Sequence, residues 1–485
     1  MFEVKDMIKR AHIKPSYMEA KKRTKEEIKF LTDAYILDNE LKKIGVGKKY
    51  LIITYGCQAN ERDSETISAI LEDMSFAKTE NFEDADLILL NTCAIRENAH
   101  NKVFGMLGRI KHLKESKPDI ITCLCGCMAQ EEAVINEIEE KFKWMDVVFG
   151  NHNIHNLPKL ISDAINDNEL VIEVFSKEGD VVENLPVKRE NKYKAYVNIM
   201  YGCDKFCTYC IVPYTRGKQR SRKIEDIKCE IQKLIDDGYK EVTLLGQNVN
   251  AYGKDLKEKV TFDMLLKEVA DMNIDRIRFV TSHPWDFTDE MIKIINDYEN
   301  VMPYVHLPVQ SGSDKILKMM GRRYTKESYL ELVKKIKDTI SNVSLTTDII
   351  VGFPNETEED FNETLDVVEK CKYDSAFTFI YSPRENTPAA KMEDSISFEV
   401  KQERLQRLND LVNKYALINN EKLVDTVVPV LIEGESQKGN NLYAGYTDTM
   451  KLVNVKCDKE DIGNIINVKI TDAKTWSLNG EKIDG

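Results

Sequence analysis

From about residue 49 onward, short apolar runs alternate with longer stretches whose apolar residues recur at helical spacing. Tyr50-Leu51-Ile52-Ile53-Thr54, Asp86-Leu87-Ile88-Leu89-Leu90 and Asp119-Ile120-Ile121-Thr122 read as strands, with helices over Ser64 to Met74 and His100 to Lys114 between them. Strands alternating with helices predict a parallel sheet, and so an open α/β domain over about 49–180. A second alternating series fills about 190–420, with strands expected at Ala195–Met200, Glu241–Leu245, Arg276–Thr281, Tyr304–Leu307, Ser344–Val351 and Ala376–Ile380. Six strands separated by helices predict a partial (β/α) barrel, and a run of good helix formers, about Glu399 to Asn420, closes it. The period then changes. Val427–Ile432, Leu442–Gly445, Lys451–Lys456 and Ile465–Ile470 read as short strands of a small all-β module over 421–485. Residues 1–48 carry many charges and no clear strand, and read as a helical or partly mobile extension. The fold class expected is therefore α/β multidomain, and 485 residues suit about three domains.

Composition narrows the setting. No apolar run approaches the roughly 18–20 residues that cross a bilayer, and Met1-Phe2-Glu3-Val4-Lys5-Asp6 lacks the apolar stretch of a secretory signal. A cytoplasmic protein without membrane contact is expected. In a reducing compartment the eleven cysteines, an odd number, are metal ligands sooner than disulfides. The net charge of −13 gives no global sign of nucleic-acid binding, so any such surface must be a local patch.

The cysteines are not scattered. Cys57, Cys93 and Cys127 each follow one of the first three strands, at spacings of 36 and 34 residues that match one βαβ unit each. Ligands of open α/β sheets gather at the carboxyl ends of strands, so the three could converge on one site. A second set, Cys203, Cys207 and Cys210, has the spacing C-x3-C-x2-C within Tyr201-Gly202-Cys203-Asp204-Lys205-Phe206-Cys207-Thr208-Tyr209-Cys210, just past the first strand of the large domain. A structural zinc takes four protein ligands, and no histidine lies between His155 and His283 to supply a local fourth. A four-iron cluster on three cysteines keeps one iron open for a substrate or cofactor.

That triplet, with aromatic residues inside it, resembles the signature of the radical S-adenosylmethionine (SAM) superfamily. The resemblance implies SAM chelated on the open iron and cleaved reductively to a 5′-deoxyadenosyl radical. Leu244-Leu245-Gly246-Gln247-Asn248 and Asp348-Ile349-Ile350-Val351-Gly352-Phe353-Pro354 look like SAM-site elements of such enzymes, which makes Gly246, Gln247, Asn248, Gly352 and Pro354 candidate SAM contacts. Tyr381-Ser382-Pro383-Arg384-Glu385-Asn386-Thr387-Pro388 looks like a loop near the active site. Its Arg384 is a candidate for a nucleotide or the SAM carboxylate, with a surface turn as the plainer reading.

With the first cysteine trio and the terminal β module added, the chain resembles the methylthiotransferase family of radical SAM enzymes from about Lys49 to its end. This implies two [4Fe-4S] clusters, one on Cys57, Cys93 and Cys127 and one on Cys203, Cys207 and Cys210, and a TRAM module, an OB-like barrel that grips RNA. Cys207-Thr208-Tyr209-Cys210-Ile211-Val212-Pro213-Tyr214-Thr215-Arg216-Gly217, His306-Leu307-Pro308-Val309-Gln310-Ser311-Gly312-Ser313 and Thr447-Asp448-Thr449-Met450-Lys451-Leu452-Val453-Asn454 look most like the branch acting on N6-isopentenyladenosine beside the tRNA anticodon. In the family's scheme one SAM donates the methyl group and a second supplies the radical, because the C2–H of adenine is too strong and too weakly acidic for acid–base catalysis. The partners implied are the tRNA anticodon stem-loop and a reducing electron donor such as flavodoxin or ferredoxin, with a monomer expected. Alternatives that stay open are the sibling enzymes acting on threonylcarbamoyladenosine or on a ribosomal-protein aspartate, and a non-catalytic iron–sulfur or zinc RNA-binding protein.

Cys123 and Cys125 share a strand side with Cys127; the family pattern selects the cysteine of Gly126-Cys127-Met128-Ala129, and core packing is expected for the other two. Cys229, Cys371 and Cys457 are isolated, and His283 and His306 are expected to pack or hydrogen-bond. Residues 187–223 hold ten Lys or Arg against two acids, a surplus of eight that suits phosphate contacts, and Arg216, Lys218, Arg220 and Arg222 alternate as if to line one side of an extended segment. A solvated charged face is the plainer reading. Residues 421–485 contain eight Lys or Arg and eleven acids, which puts an RNA grip by that module alone in doubt.

Overall fold

The computed structural model describes residues 7–10, 17–23, 27–32, 34–94, 97–174, 181–439 and 442–483, with the backbone alone for 7–10 and 97–101. The chain divides into two compact units: Met1–Glu190 with Met200–Phe206 and Cys210–Arg222, and Asn191–Ile199 with Cys207–Tyr209 and Lys223–Gly485.

The first unit is built on a parallel sheet, of seven strands among the described residues. They are β1 (Met7–Arg10), β2 (Lys49–Tyr55), β3 (Ala77–Lys78), β4 (Leu87–Thr92), β5 (Ile121–Gly126), β6 (Val147–Phe149) and β7 (Leu170–Glu173), in the order β1-β7-β6-β5-β4-β2-β3. Every residue of β4 and β5 is buried, as a parallel sheet covered on both faces requires. Alternation sorts the side chains: Ile88, Leu90, Leu124 and Val148 enter one core, and Leu87, Leu89, Cys123, Cys125 and Val147 enter the other. Helices Gln58–Asp73 and Glu97–Ser116 sit where the helical spacing predicted them, each reaching a few residues further.

The expectation of no strand before residue 48 is corrected. β1 pairs in parallel with β7, Met7 opposite Leu170, and Phe30–Leu31 pairs with Val181–Val182. Four-residue and two-residue strands are too short to show a period, and each is held by a partner far along the chain. Residues 1–6, 11–16, 24–26 and 33 of the expected extension lie outside the described residues.

In the second unit, β8 (Lys194–Asn198), β9 (Glu241–Leu245) and β10 (Arg276–Phe279) form one parallel sheet, and β11 (Tyr304–His306), β12 (Ser344–Val351) and β13 (Ser375–Ile380) another. A parallel bridge between Ile277 and Val301 joins them, so the six strands follow one another as the partial barrel predicts. Their faces differ. Leu345, Ile349 and Val351 are fully buried, whereas Asp348 and Ile350 on the other face of β12 pair with Phe377 and Phe379, which are exposed. Helix Phe398–Glu421 follows, and then a closed barrel of β14 (Val427–Glu435), β15 (Tyr443–Thr447), β16 (Leu452–Lys456), β17 (Ile465–Ala473) and β18 (Leu478–Lys482). Val430, Ile432, Val453, Val455, Val468, Ile470 and Leu478 fill it, each worth about 1.5–3 kcal/mol of burial. β18 has no counterpart in the sequence reading: Leu478-Asn479-Gly480-Glu481-Lys482 has one apolar residue and earns its place by closing the ring.

Within this unit the barrel docks on the parallel strands. Arg276 donates to the carbonyls of Tyr446 (2.9 Å) and Pro429 (3.0 Å), Lys194 pairs with Glu433 (2.6 Å), and Lys451 with Asp374 (2.7 Å).

Candidate active site

Three adjacent strands of the first unit are each followed by a cysteine. The register sets Tyr55, Thr92 and Gly126 side by side on β2, β4 and β5, so Cys93 and Cys127 stand one residue beyond their strands and Cys57 two. The backbone N–H of Cys93 donates to Tyr55 O at 2.9 Å. Cys57 caps helix Gln58–Asp73, and behind it lies a buried amide network. Asn60 Nδ2 donates to Asn91 Oδ1 (2.9 Å), and Asn91 Nδ2 donates to Asn60 O (2.8 Å) and Ser64 Oγ (2.9 Å). Fully paired buried amides fix geometry, since each lost partner leaves a costly desolvated group.

Gly126 separates Cys127 from the two cysteines before it. Its φ of +97° turns the chain out of the strand, and a Cβ there would run into Thr92 O and Asn91 Oδ1. Cys123 and Cys125 therefore stay in the core, while Cys127 joins a separate cluster with Ala94, Ile211 and Tyr214. Cys127 Sγ accepts from Arg216 Nε at 3.2 Å and Asn151 Nδ2 at 3.4 Å, and Arg216 Nη2 meets Asp63 Oδ2 at 2.7 Å. A hydrogen bond from Cys93, against the effect of burial and with help from the Arg216 charge and the Asn60 and Ala59 amides, lowers the Cys57 thiol to about 5. Burial pushes the Cys127, Cys123 and Cys125 thiols up; Arg216 opposes this most directly at Cys127. None of the eleven cysteines is joined to another in a disulfide. Among the described residues no three His, Cys, Asp or Glu side chains close on a single-ion site. What groups Cys57, Cys93 and Cys127 is their place at the ends of adjacent strands, a soft thiolate set that suits an iron–sulfur cluster.

Cys203, Cys207 and Cys210 share one loop, between the two-residue strand Met200–Tyr201 and its antiparallel partner Arg220–Ser221. Gly202 (φ +71°) precedes it, with no room for a Cβ beside the carbonyls of Lys218 and Gly217, and Cys203 N–H donates to Gly217 O at 3.1 Å. Cys203 and Cys210 belong to the first unit and Cys207 to the second. There Thr208 bonds Met320 O, Met319 O and Ala389 N–H, and Arg322 Nη1 reaches Cys207 Sγ at 3.5 Å.

Gly246, Gln247 and Asn248 follow β9; Gly352 and Pro354 follow β12; Arg384 lies beyond β13. All belong to the carboxyl ends of parallel strands in the second unit. Asn248 Nδ2 donates to Asp286 Oδ2 at 3.0 Å, while its buried Oδ1 has no protein partner, as a group that waits for a ligand would. Gly352 (φ +69°) donates its N–H to Glu356 Oε1 at 2.9 Å, and Arg384 O accepts from Thr387.

Family profiles match three stretches: "Uncharacterized protein family UPF0004" over residues 49–150, "Radical SAM superfamily" over 197–368 and "TRAM domain" over 421–483. A tRNA-2-methylthio-N(6)-dimethylallyladenosine synthase of Halalkalibacterium halodurans is 55% identical over 97% of this chain and 88% of its own length. The synthase of the same name from Bacillus cytotoxicus is 57% identical over 97% and 92%. The chain belongs to this synthase family. A solved radical S-adenosylmethionine methyltransferase, TsrM from Kitasatospora setae, shares the fold at 14% identity with a TM-score of 0.51, over 71% of this chain and 75% of its own.

In this member of the synthase family the basic stretch is not the surface expected. Arg216, Lys218, Arg220 and Arg222 are all buried. Arg222 makes a two-pronged pair with Glu183 (Nε–Oε1 2.8 Å, Nη2–Oε2 2.8 Å), Arg216 pairs with Asp63, and Arg189 with Glu65 (2.9 Å). Their acids come from residues 63–183, outside the counted window, which is why a local charge surplus misled. Lys188, Lys192 and Lys223 are the exposed lysines of that stretch. His283 and His306 take hydrogen-bonding roles: Trp285 N–H donates to His283 Nδ1 (3.3 Å), and His306 Nδ1 lies 2.9 Å from Thr346 Oγ1. Sequence reasoning missed Asn151 and Arg322 as neighbours of cysteine sulfur, and Asp63 as the anchor of Arg216. Arg216 lay in plain view six residues after Cys210, and only the fold reveals what it touches.

Proposed function

We propose that this protein methylthiolates C2 of N6-isopentenyladenosine beside the tRNA anticodon, using one SAM as methyl donor and a second as radical source. The observation that carries the reading is the 55–57% identity, over 97% of the chain, to synthases named for that product. The strand-end trio and the loop triplet support two [4Fe-4S] clusters, on Cys57, Cys93 and Cys127 and on Cys203, Cys207 and Cys210. The working organisation is an auxiliary-cluster domain over 49–180, a radical SAM domain over 190–420 and a TRAM domain over 421–485, for which the three family profiles speak.

Bound in these places, the clusters and SAM would supply the carbon-centred radical and the methylthio group for the transfer. The protein's own residues hold and orient. Thr208, next to Cys207 in the second unit, is held by Met319, Met320 and Ala389 of the same unit. Asn248, fixed through Asp286, keeps its Oδ1 for SAM, and the backbone at Gly246 and Gly352, the side chains of Gln247 and Arg384 and the ring of Pro354 bound the same end of the strands. A low-potential donor such as flavodoxin or ferredoxin delivers electrons in the cytoplasm. No described helix is long and apolar enough to cross a membrane.

The test is nucleoside analysis of tRNA from cells lacking the protein, joined to an assay in which anaerobically reconstituted protein, SAM and a strong reductant release 5′-deoxyadenosine. Loss of the 2-methylthio-isopentenyl nucleoside, with its isopentenyl precursor accumulating, is expected. Loss of the threonylcarbamoyl counterpart instead assigns the chain to the sibling reaction, and no 5′-deoxyadenosine makes it a binding protein.

A further inference from the structure

We infer that Arg216, held by Asp63, is a positioning residue for the auxiliary cluster that fixes the Cys127 thiolate and raises the reduction potential of the metal centre it ligates. This rests on the reading that Cys57, Cys93 and Cys127 hold a cluster.

The geometry is specific to one sulfur. Arg216 directs Nε to Cys127 Sγ at 3.2 Å and Nη2 to Asp63 Oδ2 at 2.7 Å, so the two sides of one planar fork serve a sulfur and a carboxylate at once. Both side chains are buried, at 7% and 10% exposure. A cation so placed is costly unless it is matched, and one carboxylate matches one guanidinium. The pair would then be neutral by itself, yet the guanidinium is the member that touches sulfur, and Asn151 adds a second N–H donor at 3.4 Å. The protein thus builds a small positive lobe at one ligand of the trio and sets its counter-charge on the far side of the fork.

The placement also follows from local structure. The short helix Val212–Thr215 ends with Arg216 as its C-cap, its N–H bonded to Val212 O, which fixes the Cα from which the fork reaches. Asp63 stands on helix Gln58–Asp73, the helix that Cys57 caps. One element therefore carries a ligand at its start and the anchor of the positioning residue within its second turn. Hydrogen bonds to ligating sulfur and nearby positive charge stabilise the reduced, more negative form of an iron–sulfur cluster, and outer-shell partners also hold the ligand in orientation.

The test isolates the auxiliary cluster in a Cys203→Ala/Cys207→Ala/Cys210→Ala background, reconstituted anaerobically with iron and sulfide. Iron and sulfide content, the midpoint potential from an EPR-monitored redox titration, and the rate of iron loss to a chelator are compared with and without Arg216→Met. Because Arg216→Met alone leaves Asp63 buried and unpaired, Arg216→Met/Asp63→Leu is measured in parallel to remove both charges together. Arg216→Lys keeps the charge but loses the fork.

Expected is a fall in reduction equilibrium of tenfold or more in both Met variants, about 59 mV for a one-electron couple, with faster chelation. Arg216→Lys should keep most of the potential and lose most of the chelator resistance. A fully loaded cluster with unchanged potential and unchanged chelation in the double variant overturns the inference alone. A triple-alanine background that binds no iron overturns the cluster reading, and this inference with it.

Discussion

The two cysteine sets are built in opposite ways. Cys203, Cys207 and Cys210 lie within eight residues of one loop, so their spacing in the sequence is their grouping in space. Cys57, Cys93 and Cys127 are spread over 71 residues and stand at neighbouring strand ends only because β2, β4 and β5 are adjacent in a parallel sheet. The loop set is tethered by backbone hydrogen bonds such as Cys203 N–H to Gly217 O, and the strand-end set by buried side chains: the Asn60–Asn91–Ser64 network and Arg216 with Asp63. A site made by one loop can be recognised as a motif. A site made by a sheet depends on every element that sets the register.

The largest test of this contrast removes ligands set by set. Cys207→Ala should abolish 5′-deoxyadenosine formation, and Cys57→Ala, Cys93→Ala or Cys127→Ala should leave it measurable while methylthio transfer stops. Either way the iron count should drop from about eight to about four per chain, at four irons per cluster. Cys125→Ala should keep both clusters. Loss of the second cluster in Cys125→Ala with retention in Cys127→Ala would reverse the assignment within that strand.

Next in size is Arg222→Ala. It strands Glu183 in a buried position, and breaking such a pair costs about 3–5 kcal/mol. Denaturant unfolding of the first unit should report that loss. The log–log salt dependence of tRNA binding should hardly move, whereas Lys188, Lys192 and Lys223, exposed and basic, should each lower the slope by up to about one unit when replaced by Ala. A slope that falls in Arg222→Ala with stability unchanged would restore the phosphate-binding role expected from the charge count.

Gly126→Ala should cost about 3 kcal/mol, because alanine resists a left-handed φ and its methyl meets the Thr92 carbonyl. Iron content should fall with it, and 5′-deoxyadenosine formation by the remaining folded protein, measured beside it, reports how far the disturbance passes from Cys127 to its neighbours Ile211 and Tyr214 just past the loop set.

The smallest effect concerns Asp360, far in sequence from either set. Partial burial works against its charge, but hydrogen bonds from Lys315 (2.7 Å), Ser313 (2.6 Å) and Thr357 (2.9 Å) prevail and lower it from 3.8 to about 2. A folded-state value below the unfolded one means stability that is present above about pH 4 and lost as the pH falls toward 2. Asp360→Asn should therefore cost up to about 2 kcal/mol at neutral pH, a penalty that shrinks across that acidic window in urea titrations. Iron content should not change.

How much of this was legible in the sequence follows from the same contrast. The alternation of apolar runs located the central strands of both parallel assemblies, because strands such as Leu87–Thr92 are buried on both faces and open with an unbroken apolar run, Leu87 to Leu90. The loop triplet declared itself by spacing. The strand-end trio could be suspected from its 36- and 34-residue intervals but needed the register to be placed. The short edge strands at Met7–Arg10 and Phe30–Leu31, the closing strand Leu478–Lys482 and the acid partners of Arg216 and Arg222 were not legible, since each is defined by a residue more than 20 positions away in sequence or by a ring that must close.

The pairing of β1 with β7 has a consequence for how the protein is made. Strands β2, β4, β5, β6 and β7 emerge in an order that lets each dock on one already present, whereas Met7 must find Leu170, 163 residues later. At a synthesis rate of 5–20 residues per second the ribosome delivers that partner roughly 10–30 s after the first strand. The strand made first is thus the one placed last, a high-contact-order step that a nascent chain completes only after the remainder of its sheet is out. A fusion partner or bulky tag at the amino end would act on that final docking step, and its cost would appear in the yield of correctly assembled protein rather than in the chemistry of the finished enzyme.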